Sequence, residues 1–258
     1  MLTVKEVKKF QEFLLNSWPA EQYFFLNGWI LRFNKGVTYR ANSVFPIYYT
    51  GDSKQIEDDI EIVEKAYKLH GLPSIFTMHE YFEPEDLDIT LKNRGYLEVD
   101  HTNALLALID EIPISKINSN FNYEISDVRN EAFSGLLARF TQRNNAQQEI
   151  IDEIVNRLIL PKKCFVLAKK QNETVGTLMG VLNPYGYVYI ADLFVIPEYR
   201  RNGIATSLMV KIIIDWAILN RAKYVWLQVE VENNHAMKLY KKLGMKKAYS
   251  YYYLRKDL

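Results

Sequence analysis

The chain has 258 residues, 48% hydrophobic and 24% charged, with a formal net charge of +1, the profile of a globular protein with room for one large domain or two ordinary ones. Its single cysteine excludes an internal disulfide, and no uncharged run approaches the ~18 residues of a membrane-spanning helix. Of 32 Lys+Arg and 31 Asp+Glu, residues 1–115 hold 11 and 18, a net −7, leaving 21 and 13, a net +8, for residues 116–258. The basic residues are scattered and accompany no nucleic-acid motif, so neither nucleic acid nor membrane is an expected partner.

Residues 3–16 place apolar residues at helical spacing among charges, which predicts an amphipathic helix rather than a signal peptide, stopping before Trp18-Pro19. A cytoplasmic location is expected on that basis. Gly28–Phe33 and Val37–Ala41 predict a hairpin about a turn at Asn34-Lys35-Gly36. Ile56, Ile60, Val63, Ala66 and Tyr67 carry a helix from Ile56 to Leu69, ended by Gly71-Leu72-Pro73. Ser74–Met78 reads as a strand, Glu85–Arg94 as a helix closed by Gly95, and Tyr96–Asp110 as one or two strands. The acids from Glu80 to Asp88 are either a solvated loop or one wall of a groove for a cationic amine. Ile112–Asn120, polar and marked by proline, reads as a linker.

In the second half Phe121–Ile125 predicts a strand, and Val128–Phe140 and Gln147–Leu160 predict helices, the second stopped by Pro161. Cys164–Lys170 and Thr174–Leu182 form a hairpin about Gln171-Asn172-Glu173, with Cys164 an inert thiol in an apolar run. The strand Gly186–Val195 is broken by Pro197, and the chain re-emerges at Gly203 as a helix to Leu219, with Ile204, Leu208, Ile212, Trp216 and Leu219 as its apolar stripe. A strand Tyr224–Val229, a helix Asn234–Leu243 and closing strands Met245–Leu254 follow. Tyr249, Tyr251, Tyr252 and Tyr253 read as sheet residues, with an aromatic substrate wall as the alternative.

The segment Arg200-Arg201-Asn202-Gly203-Ile204-Ala205 puts one glycine and two arginines where a helix begins. A helix start exposes about four backbone N–H groups and a partial positive charge, which suits phosphate. Glycine lets an anion approach the backbone, and arginine adds charge-assisted bonds. With its flanks, V-I-P-E-Y-R-R-N-G-I-A resembles the acyl-CoA pyrophosphate loop of the GNAT superfamily of N-acyltransferases. A second motif follows in order: the strand Leu227–Glu232, then Asn233 and Ala236, then Leu239-Tyr240-Lys241-Lys242-Leu243-Gly244-Met245, with methionine where the family usually has phenylalanine. The resemblance covers about residues 120–258.

The resemblance implies an α/β fold of two tandem acyl-CoA N-acyltransferase (GNAT-like) domains, each a mixed, mostly antiparallel twisted sheet flanked by helices. Residues 116–258 are the expected catalytic domain. Residues 1–115 repeat the order of elements without a glycine loop and are expected to be a degenerate copy. The implied activity is N-acetyl transfer from acetyl-CoA, as cosubstrate and without metal, to a primary amine of a small molecule, peptide or protein. Arg200, Arg201, Asn202, Gly203, Ile204, Ala205 and Thr206 would hold the pyrophosphate, while Phe194, Val195 and Asn233 would bind pantetheine. Tyr240 would protonate the leaving thiolate; Asn233 also suits a helix N-cap and Tyr240 a core aromatic. A primary amine is only about 0.1% neutral near pH 7, so a base helps, and Asp192 is preferred over Glu230, Glu232 and Glu124. A non-catalytic acyl-CoA-binding or sensory module, a longer acyl donor, and a monomer or homodimer stay open.

Overall fold

The computed structural model describes residues 2–113, 116–160 and 162–258; Ile114 and Ser115 of the expected linker and Pro161, the expected helix stop, lie outside them. Two compact units form: Met1–Ala104 with Glu230–Glu232 and Ala248–Leu258, and Leu105–Val229 with Asn233–Lys247. Neither is one continuous stretch, whereas the sequence suggested a single boundary between residues 115 and 116.

In the first unit, α1 (Val4–Ser17) begins at a capping box in which the Thr3 hydroxyl accepts from the Glu6 amide and Glu6 accepts from the Thr3 amide. That pairing satisfies two otherwise orphaned donors. β1 (Gln22–Leu26) and β2 (Trp29–Phe33) form the hairpin, but about Asn27-Gly28 rather than Asn34–Gly36. Both turn residues have positive φ, 45° and 90°, the backbone that tight hairpins demand and Asn-Gly supplies. The predicted second strand is instead a short helical turn at Tyr39–Ala41. α2 (Ile56–Leu69), β3 (Ser74–His79), α3 (Leu87–Asn93) and β4 (Leu97–Leu108) follow, the last as one strand rather than two. Trp29, Leu31, Val63 and Phe76 are central to the core. Of the acids between Glu80 and Asp88, Glu80 accepts from the Ser250 amide, Glu83 from Lys8 and the Tyr49 amide, and Asp88 from Tyr252, while Glu85 and Asp86 are exposed.

The second unit carries β5 (Asn122–Ser126), α4 (Glu131–Phe140), α5 (Asn145–Asn156), β6 (Lys163–Lys170), β7 (Glu173–Asn183) and β8 (Tyr187–Val195). α4 starts later than predicted because the Asn130 side chain accepts from the Phe133 amide and fixes the cap there. α5 ends at Asn156, short of the expected Leu160. Beyond β8 come α6 (Ile204–Ile212), β9 (Tyr224–Glu230) and α7 (Asn234–Lys242). The sheet order is β9-β8-β7-β6-β5, antiparallel except for β8 and β9, which run parallel. A parallel pair needs a crossover, and α6 lies on it. The predicted long helix ends early: Ile213–Ala217 widens into a π-helical turn, and Leu219, 76% exposed, lies in the turn beyond it.

Two glycines of β7 seat α6. A Cβ on Gly176 would stand 3.2 Å from Leu208 and one on Gly180 would stand 2.4 Å from the Ile212 tip. The helix therefore lies close to the sheet, and Leu208 and Ile212 are fully buried. β10 (Lys246–Lys256) ends the chain, and its residues 251–256 pair antiparallel with β3, from Tyr251↔His79 to Lys256↔Ser74. Tyr249, Tyr251 and Tyr253 are buried there, as the sheet reading expected.

Candidate active site

Within the second unit the site begins where β8 and β9 part. Their ladder runs from Tyr187↔Tyr224 to Ile190↔Leu227, yet β8 continues to Val195 and β9 to Glu230. Just past the last pair, β8 holds Asp192 and Leu193 opposite the single residue Leu178 of β7, since Ala191 pairs with Met179 and Phe194 with Thr177. This is a β-bulge. Asp192 takes φ 53°, and the buried Thr177 hydroxyl donates to the Asp192 carbonyl oxygen at 2.9 Å, holding the kink.

The loop after β8 leads to the start of α6. Arg201 and Gly203 take positive φ, 64° and 73°, and no side chain caps the helix. A Cβ on Gly203 would meet nothing within 4 Å, so this glycine answers to backbone conformation and faces open space. Arg200 to Gly203 are exposed. Arg200 donates from Nε to the Val195 carbonyl at 3.1 Å, and its guanidinium lies 5.7 Å from the Phe194 ring centre. Asn118 braces the loop: its side-chain amide donates to the Asn202 carbonyl at 2.8 Å, and its backbone amide donates to the Ser207 hydroxyl at 3.0 Å. The uncapped first turn and the open face at Gly203 fit a pyrophosphate.

Asn233 caps α7, its Oδ1 accepting from the Ala236 amide at 3.1 Å, which leaves its amide nitrogen as a donor. Tyr240 is 7% exposed. Burial, with Tyr189 nearby, pushes its hydroxyl pKa up to about 12. The hydroxyl makes no hydrogen bond among the described residues. It is therefore a protonated donor without a partner.

The carboxylates differ. Asp192 is held by Arg129, whose Nη1 donates to it at 2.8 Å, while Arg129 Nε lies 2.8 Å from an Asp152 carboxylate oxygen in a second ion pair. Glu124 is paired with Lys169 at 2.7 Å. Glu230 and Glu232 are exposed and are counted with the first unit. Cys164 is buried, and burial raises its thiol well above the usual range, so no nucleophile is offered there. Sequence reasoning did not single out Asn118, Thr177 or Arg129, because each acts on a residue 15 to 84 positions away.

Among the described residues no cluster of three or more His, Cys, Asp or Glu is arranged for a metal, and no helix is long and apolar enough to cross a membrane. The sequence profile of the acetyltransferase (GNAT) family matches residues 122–245, and a profile described as "Probable histone acetyltransferase Rv0428c C-terminal" matches residues 5–113. The chain is 30% identical over 254 residues to an uncharacterized N-acetyltransferase, YobR, of Bacillus subtilis (strain 168), covering 96% of this chain and 98% of that protein. A GCN5-related N-acetyltransferase from Kribbella flavida superposes with TM-score 0.70 at 12% identity, over 96% of this chain and 94% of that one. A tandem GNAT protein from the clavulanic acid biosynthesis pathway gives TM-score 0.61 at 10% identity, over 81% and 72%.

Proposed function

The chain belongs to the GNAT family of N-acetyltransferases, and from that premise we propose that residues 116–258 transfer an acetyl group from acetyl-CoA to the amine of a small molecule or peptide. The observation that carries this reading is the parting of β8 and β9 beyond Ile190↔Leu227 beside the uncapped start of α6. One feature leaves strand edges for an extended arm; the other leaves amide donors for phosphate.

Acetyl-CoA supplies an activated thioester: as the amine nitrogen bonds to the acyl carbon, the carbon–sulfur bond breaks and the sulfur leaves as thiolate. The residues of the loop from Arg200 to Thr206 bind and orient, with Gly203 giving the backbone its left-handed turn. Phe194, Val195 and Asn233 are assigned to the pantetheine arm. Tyr240, protonated and unbonded, is assigned to the thiolate, where its hydroxyl donates a proton or a hydrogen bond as charge develops. Asp192 as general base is the assignment this geometry supports least, because its carboxylate already accepts from Arg129. The amine proton then passes to solvent by way of water.

Residues 1–115 are proposed to hold no acyl-CoA, having no glycine-opened helix start. The experiment is thiol release from acetyl-CoA with a panel of amines, run beside calorimetry of CoA binding. Binding with turnover supports the enzyme. Binding without turnover of any amine replaces it with an acyl-CoA-binding module, and no binding removes the site.

A further inference from the structure

Beside the Asp192 bulge the second unit holds two arginines, Arg129 buried and Arg143 half-buried, each with a buried guanidinium nitrogen that has no partner. The Arg129 side chain is 3% exposed. Its Nε donates to Ser134 and lies in an ion pair with Asp152, its Nη1 donates to Asp192, but Nη2 is buried with no partner. Arg143, in the turn between α4 and α5, has a buried Nη1 with no partner. Burial pushes its guanidinium down from the usual value, against the opposing charge of Asp192. Buried polar groups are satisfied in the great majority of cases, and a guanidinium nitrogen left without an acceptor is costly.

The place of these nitrogens matters. Phe140, the last residue of α4, packs on Phe194 of β8 with ring centres 5.5 Å apart, so the α4–α5 turn that carries Arg143 adjoins the stretch assigned to the acyl arm. Asp192 ties Arg129 to the same strand. The cluster's charges already balance, Arg129 and Arg143 against Asp152 and Asp192. A zwitterion, carboxylate and ammonium together, enters without upsetting that balance. The Gln148 amide oxygen, also buried and without a partner, adds an acceptor to the two donors.

Resting on the acetyltransferase reading above, we propose that the acceptor is an amine that also carries a carboxylate, and that the unpartnered nitrogens of Arg129 and Arg143 bind that carboxylate over the Asp192 bulge. Guanidinium is the group best matched to a carboxylate's two oxygens. Arg143 is then a specificity residue, and Arg129, fixed by two aspartates, the rigid half of the clamp.

The test measures thiol release from acetyl-CoA with the free amino acids, their carboxamides, the amines left by decarboxylation, and O-phosphoethanolamine. Turnover confined to the carboxylate-bearing acceptors supports the proposal. Equal turnover of the carboxamides or decarboxylated amines overturns it, as does turnover of the phosphate-bearing amine alone, or of no acceptor in the panel. Arg143→Gln should raise KM for the carboxylated acceptor roughly ten- to a hundredfold with kcat near the parent value, and Arg143→Lys should recover part of the loss. An unchanged KM in Arg143→Gln overturns the assignment. CoA calorimetry on the same samples separates the two readings: intact CoA binding with indifference to the carboxylate sinks only the acceptor proposal, while lost CoA binding sinks the enzyme reading beneath it.

Discussion

Arg129 and Asp192 meet at 2.8 Å across 63 residues of chain, joining the segment before α4 to the bulge of β8. The guanidinium is almost wholly buried, so removing one of its carboxylates leaves charge incompletely compensated. Asp192→Ala is expected to lower stability by about 2 kcal/mol in chemical denaturation. Arg129→Met added to that variant should cost less than the same change in the parent protein, and strict additivity of the two losses would count against the coupling. Asp192→Asn, which still offers Arg129 an oxygen, reports on proton abstraction: a fall in kcat of more than about a hundredfold with a flattened acid limb would return to Asp192 the base role read from the sequence.

Gly203→Val places a β-branched residue at φ 73°, where only glycine is comfortable. No neighbour stands within 4 Å of the added carbon, so the expected damage is to the loop backbone and not to the core. Calorimetry should show CoA affinity falling at least tenfold, about 1.4 kcal/mol, in a protein that remains folded. Affinity equal to the parent's would remove the loop from the binding site.

Tyr240→Phe takes away an oxygen that bonds nothing in the folded protein, so the melting temperature is expected to hold. If the hydroxyl serves the thiolate, kcat falls roughly ten- to a hundredfold, about 1.4–2.7 kcal/mol, with acetyl-CoA affinity little changed. Because burial raises the hydroxyl to about 12, Tyr240 stays protonated through the usual assay range. Below the acceptor's own pKa, kcat/KM should rise about tenfold per pH unit, with no tyrosine-dependent fall below about pH 11. An alkaline fall near pH 9 that disappears in Tyr240→Phe would contradict this.

His79 governs a separate property. It is fully buried in the first unit, and burial with Lys8 nearby, opposed by Glu83, lowers its pKa to about 4. Its Nδ1 accepts from the Tyr81 amide at 3.1 Å, so Nε2 carries the hydrogen. The unfolded chain binds a proton near pH 6.5 that the folded unit refuses until about pH 4. Stability is therefore present above pH 6.5 and lost as pH falls through that window, by up to about 3 kcal/mol. Thermal unfolding followed from pH 7 to pH 4 should show the loss, and His79→Gln should flatten it.

The legible parts of this chain were those written in local chemistry. α2 begins and ends where its apolar spacing and Gly71 put it, and the β6–β7 hairpin turns where Gln171-Asn172 predicts. The loop at Gly203 was readable because a helix start, a small residue and two arginines make sense together within six positions. What sequence could not give were the braces. Asn118 reaches Asn202 from a stretch read only as linker, and Thr177 fixes Asp192 from the neighbouring strand. The first hairpin was misplaced because two turn-forming stretches lie close together: Lys35-Gly36 is left-handed as well as Asn27-Gly28, but only across Asn27-Gly28 do the flanking segments pair. Strand pairing between distant segments, such as β3 with β10, leaves no mark on either segment alone.

The extra residue in β8 has a consequence for how this site can be moved or lost. Side chains alternate between the two faces of a strand, so one surplus residue exchanges odd and even positions for everything after it. Leu193, Phe194 and Val195 therefore present themselves in the opposite phase to Tyr187–Ala191, although the strand continues unbroken in sequence. Shortening the segment by a single residue would keep nearly every side chain named here and still turn Phe194 to the other face. The site is thus encoded by a count as much as by a motif, and a graft onto a regular strand has to carry the surplus residue with it.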